Sequence, residues 1–144
     1  MPIRCEVVSQ DRIVFQGNAE LVSLPGANGE MGILSNHSPL LTVLKFGMVK
    51  VRTAEEILYF TVAGGVAEVQ PDQVTILADA AENVEEIDTQ RAEAALRRAE
   101  ELLEMKSDEM DLETYLAVQT SLRKSNLRLE AVRRFRRSKT PQRE

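Results

Sequence analysis

Along the first 80 or so residues, apolar positions come in short runs rich in Val and Ile, separated by turn-forming residues about every 8 to 12 positions. The pattern predicts strands over 3–9, 12–16, 20–24, 41–44, 48–52, 57–63, 66–70 and 74–78. Alternation is plain where Val49 and Val51 take one face and Lys50 and Arg52 the other. Gly64-Gly65 and Pro71-Asp72 predict tight connections. No helix-period segment interrupts these runs, which argues against parallel βαβ units and for an antiparallel sandwich or barrel. Residues 25–41 (PGANGEMGILSNHSPLL) are dense in Gly, Pro and Asn, and read as a shaped loop on that scaffold.

The period changes near Glu82. Ala92, Ala95, Leu96, Ala99, Leu102 and Leu103 recur at three- and four-residue spacing and predict a helix with one apolar stripe, capped by Asp88. The polar stretch 106–109 breaks the stripe. A second helix is expected from Asp111 to about Phe135, with Leu112, Tyr115, Leu116, Leu122, Leu129 and Val132 as its apolar members. Two helices joined by a short polar loop form an antiparallel hairpin. The Ala-rich face of the first permits close approach. The stripe is narrow, so the hairpin should depend on docking to something else.

Composition narrows the function classes. With 144 residues and 43% hydrophobic content, one small domain plus an appendage fits. The single cysteine, Cys5, cannot form an internal disulfide and reads as a small apolar strand residue in a reducing compartment. The start of the chain lacks the apolar core of a signal peptide, and no run is long enough to span a membrane.

Charge is segregated. Residues 1–81 carry nine acids and five bases, 82–113 twelve acids and four bases, and 114–144 two acids and nine bases. The basic end points to an acidic partner surface or to association with the acidic segment. It lacks aromatic interleaving, which argues against nucleic acid. His37 has no second His or Cys cluster with which to hold a metal and no nucleophile to serve as a base, so neither a metal site nor a catalytic residue is expected.

Four features carry a resemblance: GEMGILSNHSPLLT (29–42), GGVAEVQPDQVTILADAAE (64–82), IDTQRA (87–92), and the order of a β domain before two helices. Together they resemble the epsilon subunit of F-type ATP synthase. The resemblance implies a β + α architecture: an N-terminal antiparallel β-sandwich of about ten strands over 1–84, a mobile helical hairpin over 85–137, and a frayed basic tail over 138–144. It implies a non-catalytic subunit that couples the rotor stalk to the c-ring and restrains ATP hydrolysis through the hairpin. The partners implied are the gamma subunit, the c-ring and the catalytic alpha and beta subunits. Membrane association is expected through the complex alone, on the cytoplasmic face of a bacterial cell membrane or on a thylakoid. The residues alone also fit a stand-alone β-sandwich binding module with an oligomerising hairpin.

The resemblance assigns roles residue by residue. Glu30 is implied to face the c-ring and His37 the gamma subunit, against the plainer readings of a solvated acid and a loop histidine bonded to backbone. Glu82, Asp88, Arg91, Arg98 and Arg123 are implied to bind ATP as a regulatory ligand. No cofactor is required, and no Walker-type loop is present for hydrolysis. Arg133, Arg134, Arg136 and Arg137 are implied to meet the catalytic subunits, or on the plainer reading to favour a helix C-terminus. Two departures stand out. Ser35-Asn36 replaces Pro-Gly, and Asn126-Leu127 stands where nucleotide-binding members read Asn-Arg.

Overall fold

The computed structural model describes residues 1–105 and 110–136. The chain divides into two compact units, Met1–Val84 and Glu85–Glu144. The first holds eight strands among the described residues: β1 (Ile3–Val8), β2 (Ile13–Ala19), β3 (Leu21–Gly26), β4 (Gly29–Ile33), β5 (Leu40–Arg52), β6 (Ile57–Val69), β7 (Gln73–Ala78) and β8 (Ala81–Asn83). They hydrogen-bond in the order β2-β1-β7-β6-β5-β3-β4, with β8 on β6.

The expected sandwich is present, with three differences of detail. Eight strands stand where the resemblance implies about ten: two pairs of predicted strands are continuous, and β4 and β8 are additional. The run 41–44 joins 48–52 as β5, and 57–63 joins 66–70 as β6. Gly64-Gly65 is therefore a bend within β6 and not a connection between strands. Both glycines have positive φ, 90° and 126°, and a Cβ on Gly65 would strike the Leu77 carbonyl oxygen. At this bend β6 changes partner: Phe60–Val62 pairs with β8, Gly65–Val69 with β7.

The second difference lies in the glycine-rich stretch. Half of it is a hairpin, with β3 and β4 paired from Val22↔Ile33 to Gly26↔Gly29, and only residues 34–39 form a loop. The third is a parallel pair, β1 with β7, from Arg4↔Gln73 to Val8↔Leu77. It needs no crossover helix because the five intervening strands already carry the chain back.

The core between the layers is built from Ile3, Cys5 and Val7 of β1, Val22 and Leu24 of β3, Val49 and Val51 of β5, Phe60 and Val62 of β6, and Val74 and Ile76 of β7, all fully buried. Phe15 packs on Phe60 with ring centroids 5.6 Å apart. Burial pushes the Cys5 thiol up to about 12, with Glu6 adding to the effect, so it stays neutral and unreactive.

A 3₁₀ turn, Val84–Glu86, leads into the second unit, which among the described residues holds α1 (Thr89–Glu104), α2 (Leu112–Ala131) and a π-helical turn, Val132–Arg136. Asp88 caps α1 by accepting the Arg91 N–H at 3.1 Å, and Asp111 caps α2 by accepting the Thr114 N–H at 2.8 Å. The buried residues of α1 are Ala92 and Ala99, seven apart. Those of α2 include Val118 and Ser125, also seven apart. Of the residues expected to carry the α2 stripe, Leu112 is 71% exposed and Leu116 51%, while Tyr115, Leu122, Leu129 and Val132 are half-buried. Alanines on α1 leave room for a close approach of the helices.

Candidate functional surfaces

Cross-strand register lines up an apolar row on the outer face of the sandwich. Val43 pairs with Val66, Val66 with Leu77, Leu77 with Val8, and Val8 with Ile13. Their neighbours along each strand, Leu44, Ala67, Ile76 and Val7, are buried, so this row points outward. Val43 is 59% exposed, Leu77 49% and Ile13 58%; Val8 and Val66 are half-buried. One row over, Leu41 is exposed opposite Glu68, and Glu6 accepts from Gln16 at 3.1 Å. Five apolar side chains crossing five strands form a contiguous patch with a polar margin, the anatomy of a protein-docking surface. The sequence held a signal for it: runs such as LLTVL and TILA are more apolar than alternation requires.

The loop after β4 is held by its backbone. Asn36 adopts φ 68°, and its N–H donates to the Pro71 carbonyl at 2.7 Å. Glycine and asparagine both tolerate that conformation, so Asn36 can stand where glycine is common. His37 donates its backbone N–H to Leu34 O at 3.3 Å, and its Nδ1 lies 2.7 Å from Ser38 O. A carbonyl only accepts, so Nδ1 is the donor in this contact. Glu30 is exposed on β4 opposite Pro25, one pair from the β3–β4 turn. Glu30 and His37 therefore lie at opposite ends of β4. No group of three potential metal ligands occurs among the described residues.

The hairpin carries a groove of about 240 Å³ lined by Ala95, Arg98, Ala99 and Leu102 of α1 and by Thr114, Ala117, Val118 and Ser121 of α2. Arg91 lies seven residues before Arg98 and shares its flank. The structure does not add Arg123 to them. At 100° per residue, Arg123 is turned about 170° from the groove-lining face of α2, toward the flank where α1 bears Glu93, Glu100 and Glu104. Leu127 is turned about 130° away. Arg128, seven after Ser121, sits on the groove flank with Lys124 beside it. Asp88 spends one carboxylate oxygen on its cap, and Glu82 is half-buried on β8, opposite Thr61 in the sandwich unit.

Of the tail arginines, Arg133 is exposed. Arg134 lies 3.7 Å from Glu130 and 5.2 Å from the Phe135 ring centroid, both surface contacts of small worth. Arg136 turns inward and donates to the Ile87 carbonyl at 3.0 Å. Arg137 lies outside the described residues. The basic group expected to face a partner is thus divided, with Arg136 engaged at the hairpin base.

A β unit that exposes an apolar row is followed by a slender helical pair. Family models agree: residues 2–84 match the beta-sandwich domain of the ATP synthase delta/epsilon chain, and residues 85–133 its long alpha-helix domain. The chain belongs to this family, as an epsilon chain of F-type ATP synthase. It is 42% identical over 137 residues to the ATP synthase epsilon chain of Xanthomonas campestris pv. campestris (strain B100), covering 94% of this chain and 96% of that one. It is 41% identical over 136 residues to that of Acidithiobacillus ferridurans, covering 94% of each. Among solved structures it is similar to a chain of the Euglena gracilis mitochondrial ATP synthase OSCP/F1/c-ring assembly, with TM-score 0.71 and 26% identity over 90% of this chain and 80% of that one. A chain of the Tetrahymena thermophila central stalk and c-ring shares the fold, with TM-score 0.57 and 14% identity. No helix among the described residues is long and apolar enough to cross a membrane.

Proposed function

We propose that this epsilon chain seats the sandwich on the gamma subunit and the c-ring, and that its hairpin restrains ATP hydrolysis without performing any chemistry itself. The observation that carries the proposal is the exposed apolar row Ile13–Val8–Leu77–Val66–Val43, which gives a partner a surface to bury. The similar Euglena and Tetrahymena chains come from assemblies that include the c-ring, which supports a seat in the central stalk. His37 and Glu30, at opposite ends of β4, serve separate contacts, His37 toward gamma and Glu30 toward the ring. The chain is held at the membrane by the complex, on the cytoplasmic face of a bacterial membrane or on a thylakoid.

The hairpin is the regulatory part. Its fully buried residues are alanine, serine and valine, with leucines only half-buried, so separating the helices exposes less apolar surface than opening a leucine-packed core. Arg133 and Arg134, with Arg137, meet acidic surfaces of the catalytic subunits when α2 extends. ATP favours the closed hairpin by lying along the groove, its phosphates near Arg91, Arg98 and Arg128, where the guanidinium fork suits phosphate oxygens. This keeps Arg91 and Arg98 of the five residues first assigned to ATP and replaces Arg123 by Arg128.

The test is reconstitution of the complex with full-length chain and with a chain ending at Val84. The truncated form should assemble with gamma and allow faster ATP hydrolysis. Failure to assemble refutes docking through the sandwich, and unchanged hydrolysis refutes the regulatory role.

A further inference from the structure

The end of α2 contains an arrangement that this reading leaves unused. After Ala131 the helix widens into the π-helical turn Val132–Arg136. Such turns are rare and are frequent at functional sites. An i→i+5 turn changes the phase of the helix and so re-aims the side chains beyond it. Here it returns Arg136 to the start of the hairpin, where Nη2 donates to the Ile87 carbonyl at 3.0 Å across 49 residues of sequence.

The surroundings strengthen this bond. Ile87 is 4% exposed, Ala131 1%, and the Arg136 Nε is buried. A charge-assisted hydrogen bond shielded from water is stronger than one on the surface. The guanidinium arrives at the N-terminus of α1, where the helix dipole alone disfavours a cation. Glu85, Glu86 and Asp88 concentrate three negative charges in that stretch and offset the dipole.

We infer that Arg136 is the clasp of the hairpin base: its bond to the Ile87 carbonyl holds the end of α2 against the start of α1, and α2 leaves α1 only when that bond breaks. The closed hairpin therefore withholds this guanidinium from acidic partners, and opening releases it. The clasp deepens the proposed function, on which only that last consequence rests.

Amide hydrogen exchange on the isolated full chain, followed by mass spectrometry, tests the clasp in Arg136→Gln, Arg136→Met and Arg136→Lys. Exchange in 128–136 and 87–92 should rise about tenfold in the Gln and Met variants, the scale of one charge-assisted bond, and less in Lys, which keeps the charge without the fork. Exchange in 95–102 should stay at the wild-type rate. Wild-type exchange at both ends in Arg136→Gln would overturn the clasp. So would a wild-type Arg136→Met, which would leave only packing of the stem, and so would an equal rise in 95–102, which would mean general destabilisation. Unchanged hydrolysis on deleting the hairpin would refute the regulatory reading and leave this readout intact.

Discussion

Replacing Ile13, Val43 and Leu77 together by Thr should release the sandwich from its partner without unfolding it. Thr is β-branched and suits an exposed strand position, so the fold should hold to within roughly 0.5 kcal/mol per site. Fully burying a Val, Leu or Ile side chain is worth about 1.5–3 kcal/mol. The three residues are 58%, 59% and 49% exposed, so roughly half of that remains to be gained on docking. Thr keeps one methyl, which leaves a loss of about 0.5–1 kcal/mol at each site. Together the substitutions should cost on the order of 1.5–3 kcal/mol, or about 10- to 150-fold in affinity. Calorimetric titration of the variant into a complex that contains gamma but lacks epsilon measures this directly, with circular dichroism as the control for folding. Affinity within twofold of wild type, in a folded variant, would show that gamma docks elsewhere. A substitution on the opposite, core-facing side of the same strands could not make this distinction, because it would unfold the domain.

ATP titrated into the isolated chain should bind about tenfold more weakly after Arg98→Gln or Arg128→Gln, the scale of a lost charged hydrogen bond, and as before after Arg123→Gln. Leu127→Arg, which points away from the groove, should not improve binding, and absence of any binding up to several millimolar would refute the nucleotide reading. A chain ending at Val84 should unfold cooperatively as a β protein by circular dichroism, whereas one ending at Ala80 should be less stable, because it lacks β8 and the buried Val84. Hydrogen bonding from Thr114 holds the Asp111 carboxyl below its ordinary value. The folded pKa is depressed, so the contribution of this cap is present above the unfolded value and is lost as pH falls through the folded one. Exchange at the Thr114 amide should therefore quicken on acidification through that window, and Asp111→Asn should remove the dependence.

The strands were legible because each buries one face, and period-two alternation reports that directly. The bends were not. Gly64-Gly65 punctuates a strand pattern in the same way whether the chain turns back or merely changes partner, and only the continuous pairing with β5 decides between them. β4 was hidden because three of its five residues are two glycines and an exposed glutamate, which carry no apolar signal. β8 has only three residues. Both helix caps were readable from Asp88, by its position ahead of a periodic run, and from Asp111, by its place at the start of the second helix. Two members of the α2 stripe, Leu112 and Leu116, were misplaced, because hydropathy alone does not say which flank of α2 faces α1. Arg123 shows the same limit: sequence spacing relates residues on one helix, and only the register between helices relates an arginine of α2 to those of α1. The outward row was missed for a different reason. The over-apolar runs mark that both faces of some strands are apolar, but which outward residues line up in one row is fixed only by β1 lying beside β7.

That parallel pair also sets an order of events during synthesis. β1 is made first, yet it has antiparallel β2 on one side and must wait for residues 73–78 on the other. At about 5–20 residues per second the ribosome needs several seconds to supply them. Until then β1 and β2 form a two-stranded ribbon, marginal on its own, with one edge open. The sandwich closes late and from both ends of its sequence, so a nascent chain arrested before Ala78 is an aggregation hazard and one released beyond Val84 is a finished domain.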